Sequence, residues 1–188
     1  VPREASAVLV DEVYGLEILK DAKSKGLVVM QTVEKSGQEE FEFEYGIDGF
    51  KDHLSQINPN FAKALVRYDV SHDNTEQRRK LKVLSDWVHA NGIGLLIEPL
   101  IHTRGEQVEF DHKFRYLDLI QMIREIQSAG IEADVWKIEG LYEKGQYEAV
   151  VAQTRNTTDR QHVGVVILGR NETEENVLRR SEERRVGK

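Results

Sequence analysis

The stretch IEADVWKIEG, residues 131–140, decides the fold of this 188-residue chain. Its apolar centre is short, rich in β-forming residues and bounded by polar ones, the pattern of a strand buried on both faces. Side chains alternate along a strand, so Ala133, Val135, Lys137 and Glu139 point one way and Asp134, Trp136 and Ile138 the other. One face therefore carries a lysine and a glutamate in an apolar setting. An isolated buried ammonium is costly, so the amine must be paired or lose its proton. In the second condition it is an imine-forming nucleophile; in the first, Lys137 and Glu139 make an ion pair at the end of the strand.

Outward from this strand the same pattern repeats. Short apolar runs occupy 7–11, 26–35, 61–69, 92–100 and 162–170, and helix-like stretches fall at 14–25, 47–56, 75–90, 114–129 and 142–154, with a further start at 173–178. Thr75 is placed to cap the third helix, and Asn91-Gly92 and Gly130 to end the third and fourth. The spacing predicts six β-then-α units, four of whose runs are apolar on both faces and need a covering layer on each side. An open doubly wound sheet and a barrel both satisfy that. Two features favour the barrel. The C-terminal ends of the runs carry Asp11, Glu34, Lys35, Arg67, Asp69, Glu98, Lys137, Glu139 and Arg170, which a barrel gathers around one mouth. No glycine-rich dinucleotide or Walker pattern follows any run. A complete barrel has eight units in about 250 residues, so the expectation is an incomplete TIM (β/α)8 barrel over residues 1–179.

Composition narrows the function. The balance of 26 Lys+Arg against 33 Asp+Glu gives a formal charge of -7, without the basic tract and interleaved aromatics of a nucleic-acid groove. No run is long enough to span a membrane and no signal-peptide core opens the chain. With no cysteine, a disulfide scaffold and a thiolate metal site are excluded, and the composition fits a reducing, cytoplasmic setting. The six histidines show no metal-ligand spacing, although His102 lies near Glu98 and His72 near Asp69 and Asp73. A divalent metal would need several of these to converge. Trp87, Phe114 and Tyr116 are expected to pack helices on the barrel. The stretch 39–44, where acids alternate with Phe41 and Phe43, reads as a small flap with one solvated face. The segment RSEERRVGK, 180–188, reads as a translated DNA-sequencing adapter and is expected to be foreign to the fold; a solvated charged tail is the alternative.

The segments AVLVDEVYG (7–15), GLVVMQTVEKSGQEEFEFEYG (26–46), FAKALVRYD (61–69), VLSDWVHANGIGLLIEPLI (83–101), AGIEADVWKIEG (129–140) and HVGVVILGRNE (162–172) resemble the aldolase-like domain of myo-inositol catabolism. That domain occurs alone or behind 5-dehydro-2-deoxygluconokinase and is similar to class I tagatose-bisphosphate aldolases. The resemblance covers nearly all of residues 5–179 and makes the visible units the second to seventh of the barrel. It implies a lyase that cleaves 2-deoxy-5-keto-gluconate 6-phosphate to dihydroxyacetone phosphate and malonate semialdehyde through a Schiff base. Such chemistry uses no metal or organic cofactor, whereas a kinase part of the parent would need ATP and magnesium. The partners implied are the sugar-acid phosphate, a fused kinase domain and further copies of the chain in a homo-oligomer. A tagatose-bisphosphate aldolase-like enzyme of other specificity, and a noncatalytic or regulatory domain of the kinase, are the alternatives.

By this resemblance Lys137 matches the imine-forming lysine and Glu98 the glutamate that shuttles protons. Lys63, inward wherever Lys137 is, supplies a neighbouring charge. Arg67 and Asp69 extend Lys63 into a polar column suited to a sugar acid, and Glu139 lies beyond Lys137 on the same face. At the second strand Lys35 is the expected substrate cation, with Glu34 as its partner and Asp11 orienting it. Gly169 and Arg170 are the expected half of a phosphate cradle, since barrels often bind phosphate after strands seven and eight.

Overall fold

In the computed structural model, residues 6–168 are described; Gly169, Arg170, the helix start at 173–178 and the segment 180–188 lie outside them. Strands β1 (Ala7–Val10), β2 (Val28–Thr32), β3 (Phe61–Tyr68), β4 (Gly94–Ile101), β5 (Val135–Glu139) and β6 (Gly164–Leu168) alternate with helices α1 (Glu12–Ser24), α2 (Gly46–Ile57), α3 (Thr75–Ala90), α4 (Gln107–Lys113), α5 (Arg115–Ser128) and α6 (Lys144–Thr154). The strands are all parallel and stand in chain order, a curled, unclosed wall of a TIM barrel. Among the described residues β1 and β6 each pair on one side only.

The register follows from which face is apolar. Trp136 and Ile138 of β5 are 1 % and 0 % exposed and share one core with Ala62, Ala64 and Val66 of β3, Leu81 and Leu84 of α3, and Met122 and Ile126 of α5. Burying each large apolar side chain contributes about 1.5–3 kcal/mol. A one-residue slip of β5 would expose Trp136 and drive Lys137 into the helix layer, so the register is strongly specified. A second, smaller cluster of Leu19, Ala22, Val29 and Ile57 seats α1 on the short β1–β2 edge.

Local chemistry sets the joints. Asp11 accepts from Val13 N at 2.9 Å and caps α1. Four residues on, a Cβ at Gly15 would fall 2.2 Å from Val10 Cγ1, so only glycine lets the helix start so close to its strand. At α3 the expected cap is displaced by one residue. Asn74 takes the cap position, and Thr75 is already helical, with its N–H and hydroxyl both donating to Asp73 Oδ1. The reason is the short side chain of Asp73, which closes an Asx turn before the helix begins.

Strand β2 is shorter than the apolar run predicts. After Thr32 the chain leaves the parallel sheet, and Glu34 bridges antiparallel to Phe43, with Lys35 N donating to Glu42 O and Glu44 N to Val33 O. This is the flap, and it is pinned rather than loose. Phe41 and Phe43 are buried, Phe43 stacks on Phe50 at 4.5 Å, and Phe50 meets Trp87 edge-on at 5.5 Å. Gln77 of α3 accepts from Phe41 N at 2.8 Å, while Glu40 and Glu42 face solvent. Trp87 and Tyr116 pack on the core as expected. Phe114 does not: it is 42 % exposed at the joint of α4 and α5, because α4, which had no counterpart in the sequence pattern, turns the chain there.

Candidate active site

Lys63 of β3, Glu98 of β4 and Lys137 of β5 share the parity opposite to the helix-facing residues, since Lys63 is in register with Leu96, Leu65 with Glu98, and Leu96 with Val135. Glu98 lies between the two lysines: Oε1 accepts from Lys137 Nζ and Oε2 from Lys63 Nζ, each at 2.9 Å. Lys63 also donates to Glu34 Oε1. The four residues thus form a chain of alternating sign, Glu34–Lys63–Glu98–Lys137, formally neutral. Lys63 and Glu98 are each 5 % exposed, a burial at which neither charge would persist without its partners. Lys137, with a side chain 20 % exposed, is the more open of the two amines.

Burial pushes the Glu98 carboxyl up, but Lys63 and then Lys137 outweigh it and hold the group below the usual carboxylate range. Glu98 is therefore ionised at neutral pH. The outer oxygen of Glu34, Oε2, is buried without a hydrogen-bond partner and lies at the mouth cavity formed with the flap.

The remaining expected site residues divide. Asp11, Lys35 and Arg67 line that same cavity of about 120 Å³. Two of the expected pairings are replaced, however. Glu34 serves Lys63 rather than Lys35, because the chain has left β2 and turns the glutamate inward. Asp11 is engaged with the N-terminus of α1 and makes no ion pair with Lys35 among the described residues. Asp69 folds its own loop: Oδ1 accepts from the Ser71 hydroxyl and N–H, and Oδ2 pairs with His72 at 2.8 Å. The Ser71 hydroxyl holds that carboxyl below its ordinary range, against the opposing effect of burial. Lys63, Arg67 and Asp69 are thus not one column; the first is buried in the ion chain, the second exposed at the rim and the third turned aside.

Glu139 does not pair with Lys137. Its partner is Arg115, whose guanidinium also grips Asp111, so the end of β5 is tied to α4 and α5. Arg115 is 3 % exposed. Nothing in the local sequence pointed to it, since it meets Glu139 across 24 residues. His72 and His102 line a second mouth cavity beside Arg67, but among the described residues no group of three or more His, Cys, Asp or Glu converges to hold a metal ion. No described helix is long and apolar enough to cross a membrane.

The fold has a solved counterpart. The structure of a Schiff-base-forming fructose-1,6-bisphosphate aldolase, from work on its reaction intermediates, is similar with a TM-score of 0.59 at 13 % identity, covering 95 % of this chain and 81 % of that one. At that identity the likeness is one of fold, and it is to the barrel of a class I aldolase. No curated protein matches the chain. Residues 2–185 match the family described as an uncharacterized protein conserved in bacteria (DUF2090), and the chain belongs to that family.

Proposed function

We propose that the protein is a class I lyase in which Lys137 forms an imine with the ketone of a sugar-acid phosphate, 2-deoxy-5-keto-gluconate 6-phosphate being the substrate. The observation that carries this is the shared carboxylate: Glu98, buried and ionised, holds the more open amine of Lys137 on one oxygen and the buried cation of Lys63 on the other. Glu98 takes the ammonium proton of Lys137, and the free amine attacks the C5 carbonyl carbon. The same carboxyl returns the proton to the carbinolamine oxygen, which leaves as water. In the resulting iminium the C3 hydroxyl gives its proton to the Glu98 carboxylate, the C3–C4 bond breaks, and its electron pair passes into a C4–C5 enamine. Malonate semialdehyde departs from C1–C3. Protonation at C4 and hydrolysis then release dihydroxyacetone phosphate and restore Lys137. Lys63 favours return of Glu98 to its anionic form after each transfer.

The test is borohydride reduction of the full-length protein with dihydroxyacetone phosphate, followed by peptide mass spectrometry. A reduced adduct on Lys137, absent in Lys137→Ala, is expected, with turnover falling about 10²–10⁴-fold in Glu98→Gln from loss of the proton shuttle. Undiminished turnover in Lys137→Ala rejects the mechanism. Ligand binding without cleavage would instead assign the site a regulatory role.

A further inference from the structure

The ion chain accounts for two of the four cations named at the mouth and leaves the other two. Lys35 and Arg67 line one cavity, and among the described residues neither side chain has a hydrogen-bond or ion-pair partner. Carboxylates line the cavity too, yet most are committed elsewhere: Glu34 to Lys63, Glu42 to Lys80, and Asp11 to the cap of α1. Glu40 and the second oxygen of Glu34, Oε2, are left over. Ser36 and Gly37 of the flap line the same cavity, with Gly37 at φ 79°, a conformation that suits glycine.

The position of the cavity is informative. Leu65 is in register with Glu98, and Arg67 stands one inward step farther toward the mouth, about 7 Å along the strand. Strands β3 and β5 are two apart in the sheet, about 10 Å across. The backbones of Arg67 and Lys137 are therefore separated by about 12 Å, which two long side chains reaching toward each other reduce to the span of a short carbon chain. The cavity also lies on the β2–β3 side of Lys137, away from β6 in the strand order.

We propose that Lys35 and Arg67 form a subsite for an anionic group, carboxylate or phosphate, on the half of the substrate that leaves as the aldehyde, so that the protein selects substrates charged at both ends. The assignment to the aldehyde half rests on the lyase reading; the anion subsite itself does not. Arg67 supplies a guanidinium fork and Lys35 a point charge, a combination that binds either anion. Glu40 opposes it.

Two measurements on the full-length protein test this. Calorimetric titration with inorganic phosphate and, separately, malonate is expected to show about tenfold or greater weakening in Lys35→Gln and in Arg67→Gln, and tightening in Glu40→Gln. The stronger of the two ligands identifies the anion. Condensation of dihydroxyacetone phosphate is then followed with malonate semialdehyde, glyceraldehyde 3-phosphate and neutral glyceraldehyde. KM for the matching charged aldehyde is expected to rise about tenfold in the two cation variants while that for glyceraldehyde stays fixed. Anion binding indifferent to both substitutions, or equal losses for charged and neutral aldehydes, overturns the subsite. If anion binding responds as expected but no adduct forms on Lys137, the lyase reading falls and the subsite stands.

Discussion

Replacing Glu98 by glutamine changes one oxygen into an NH2 group and removes one charge, leaving the ammonium groups of Lys63 and Lys137 facing each other where a carboxylate had joined them. The amide oxygen that remains can still accept from one amine, so one of the two lysines loses its 2.9 Å contact and both lose the carboxylate charge. Removing one partner of a buried pair costs about 3–5 kcal/mol. Lys63 keeps Glu34 and Lys137 keeps some access to water, so the lower end applies, about 3 kcal/mol. For a chain of this size that is a fall in Tm of roughly 6–12 °C. The pH dependence has a definite sign. Because the folded-state pKa of Glu98 is depressed below the ordinary 4.5, its stabilisation is complete above that value and is lost as pH falls through the folded pKa. Wild type and Glu98→Gln should therefore differ fully at pH 7 and converge in acid. Urea denaturation at a series of pH values measures this, and a double-mutant cycle with Lys63→Met should return a coupling of about 0.5–3 kcal/mol. A difference under about 0.5 kcal/mol at pH 7, or one that stays constant into acid, would refute the view that Glu98 is the charge holding both lysines.

Three further outcomes follow from the packing. Gly94→Ala sets a Cβ 2.6 Å from the Phe61 ring, and overpacking of that kind should cost about 1–3 kcal/mol, read from the urea midpoint. Phe43→Ala empties a position 5 % exposed and stacked on Phe50, so about 3–5 kcal/mol is expected, with proteolytic cleavage concentrating in residues 35–42. Arg115→Ala leaves Glu139 without its guanidinium and should destabilise by about 3–5 kcal/mol, while Arg115→Met with Glu139→Gln should recover part of the loss; equal stability of single and double variants would deny the pair any importance.

Strand parity was legible because both faces of these strands are committed. In β5 the alternation of Trp136 and Ile138 against Lys137 needs no tertiary information, and the same rule carried Lys63 and Glu98 to the same side. What the sequence could not express were pairings between elements. Residues 107–113 form α4 with Phe110 as its only buried side chain, too few apolar positions for a period to show. Glu34 and Lys35 are neighbours, and only the departure of the chain from β2 decides that the glutamate, not the lysine, enters the ion chain. Asp69 was misjudged for a local reason that was in view: aspartate two residues before serine favours an Asx turn, and that turn withdraws it from the mouth.

The depth of the site within the wall has a physical cause in the inner-face residues. One row holds Leu9, Met30, Phe61 and Gly94, all in register, and offers no polar partner. The next holds Thr32, Lys63, Leu96, Val135 and Gly164, with a single charge that cannot be satisfied within its own row. Lys63 must reach toward the mouth, where Glu98 in the following row and Glu34 from the flap both meet it. Because Glu98 is thereby shared, Lys137 keeps a partner that is never wholly its own, and loss of its proton leaves Glu98 still held by Lys63. Lys63, one row deeper, is closed in between Glu34 and Glu98, and a lysine nearer the rim would be solvated like Arg67. The apolar floor and the polar rim together leave one row where an amine has both a desolvated carboxylate and partial exposure, the row on which the proposed imine chemistry rests.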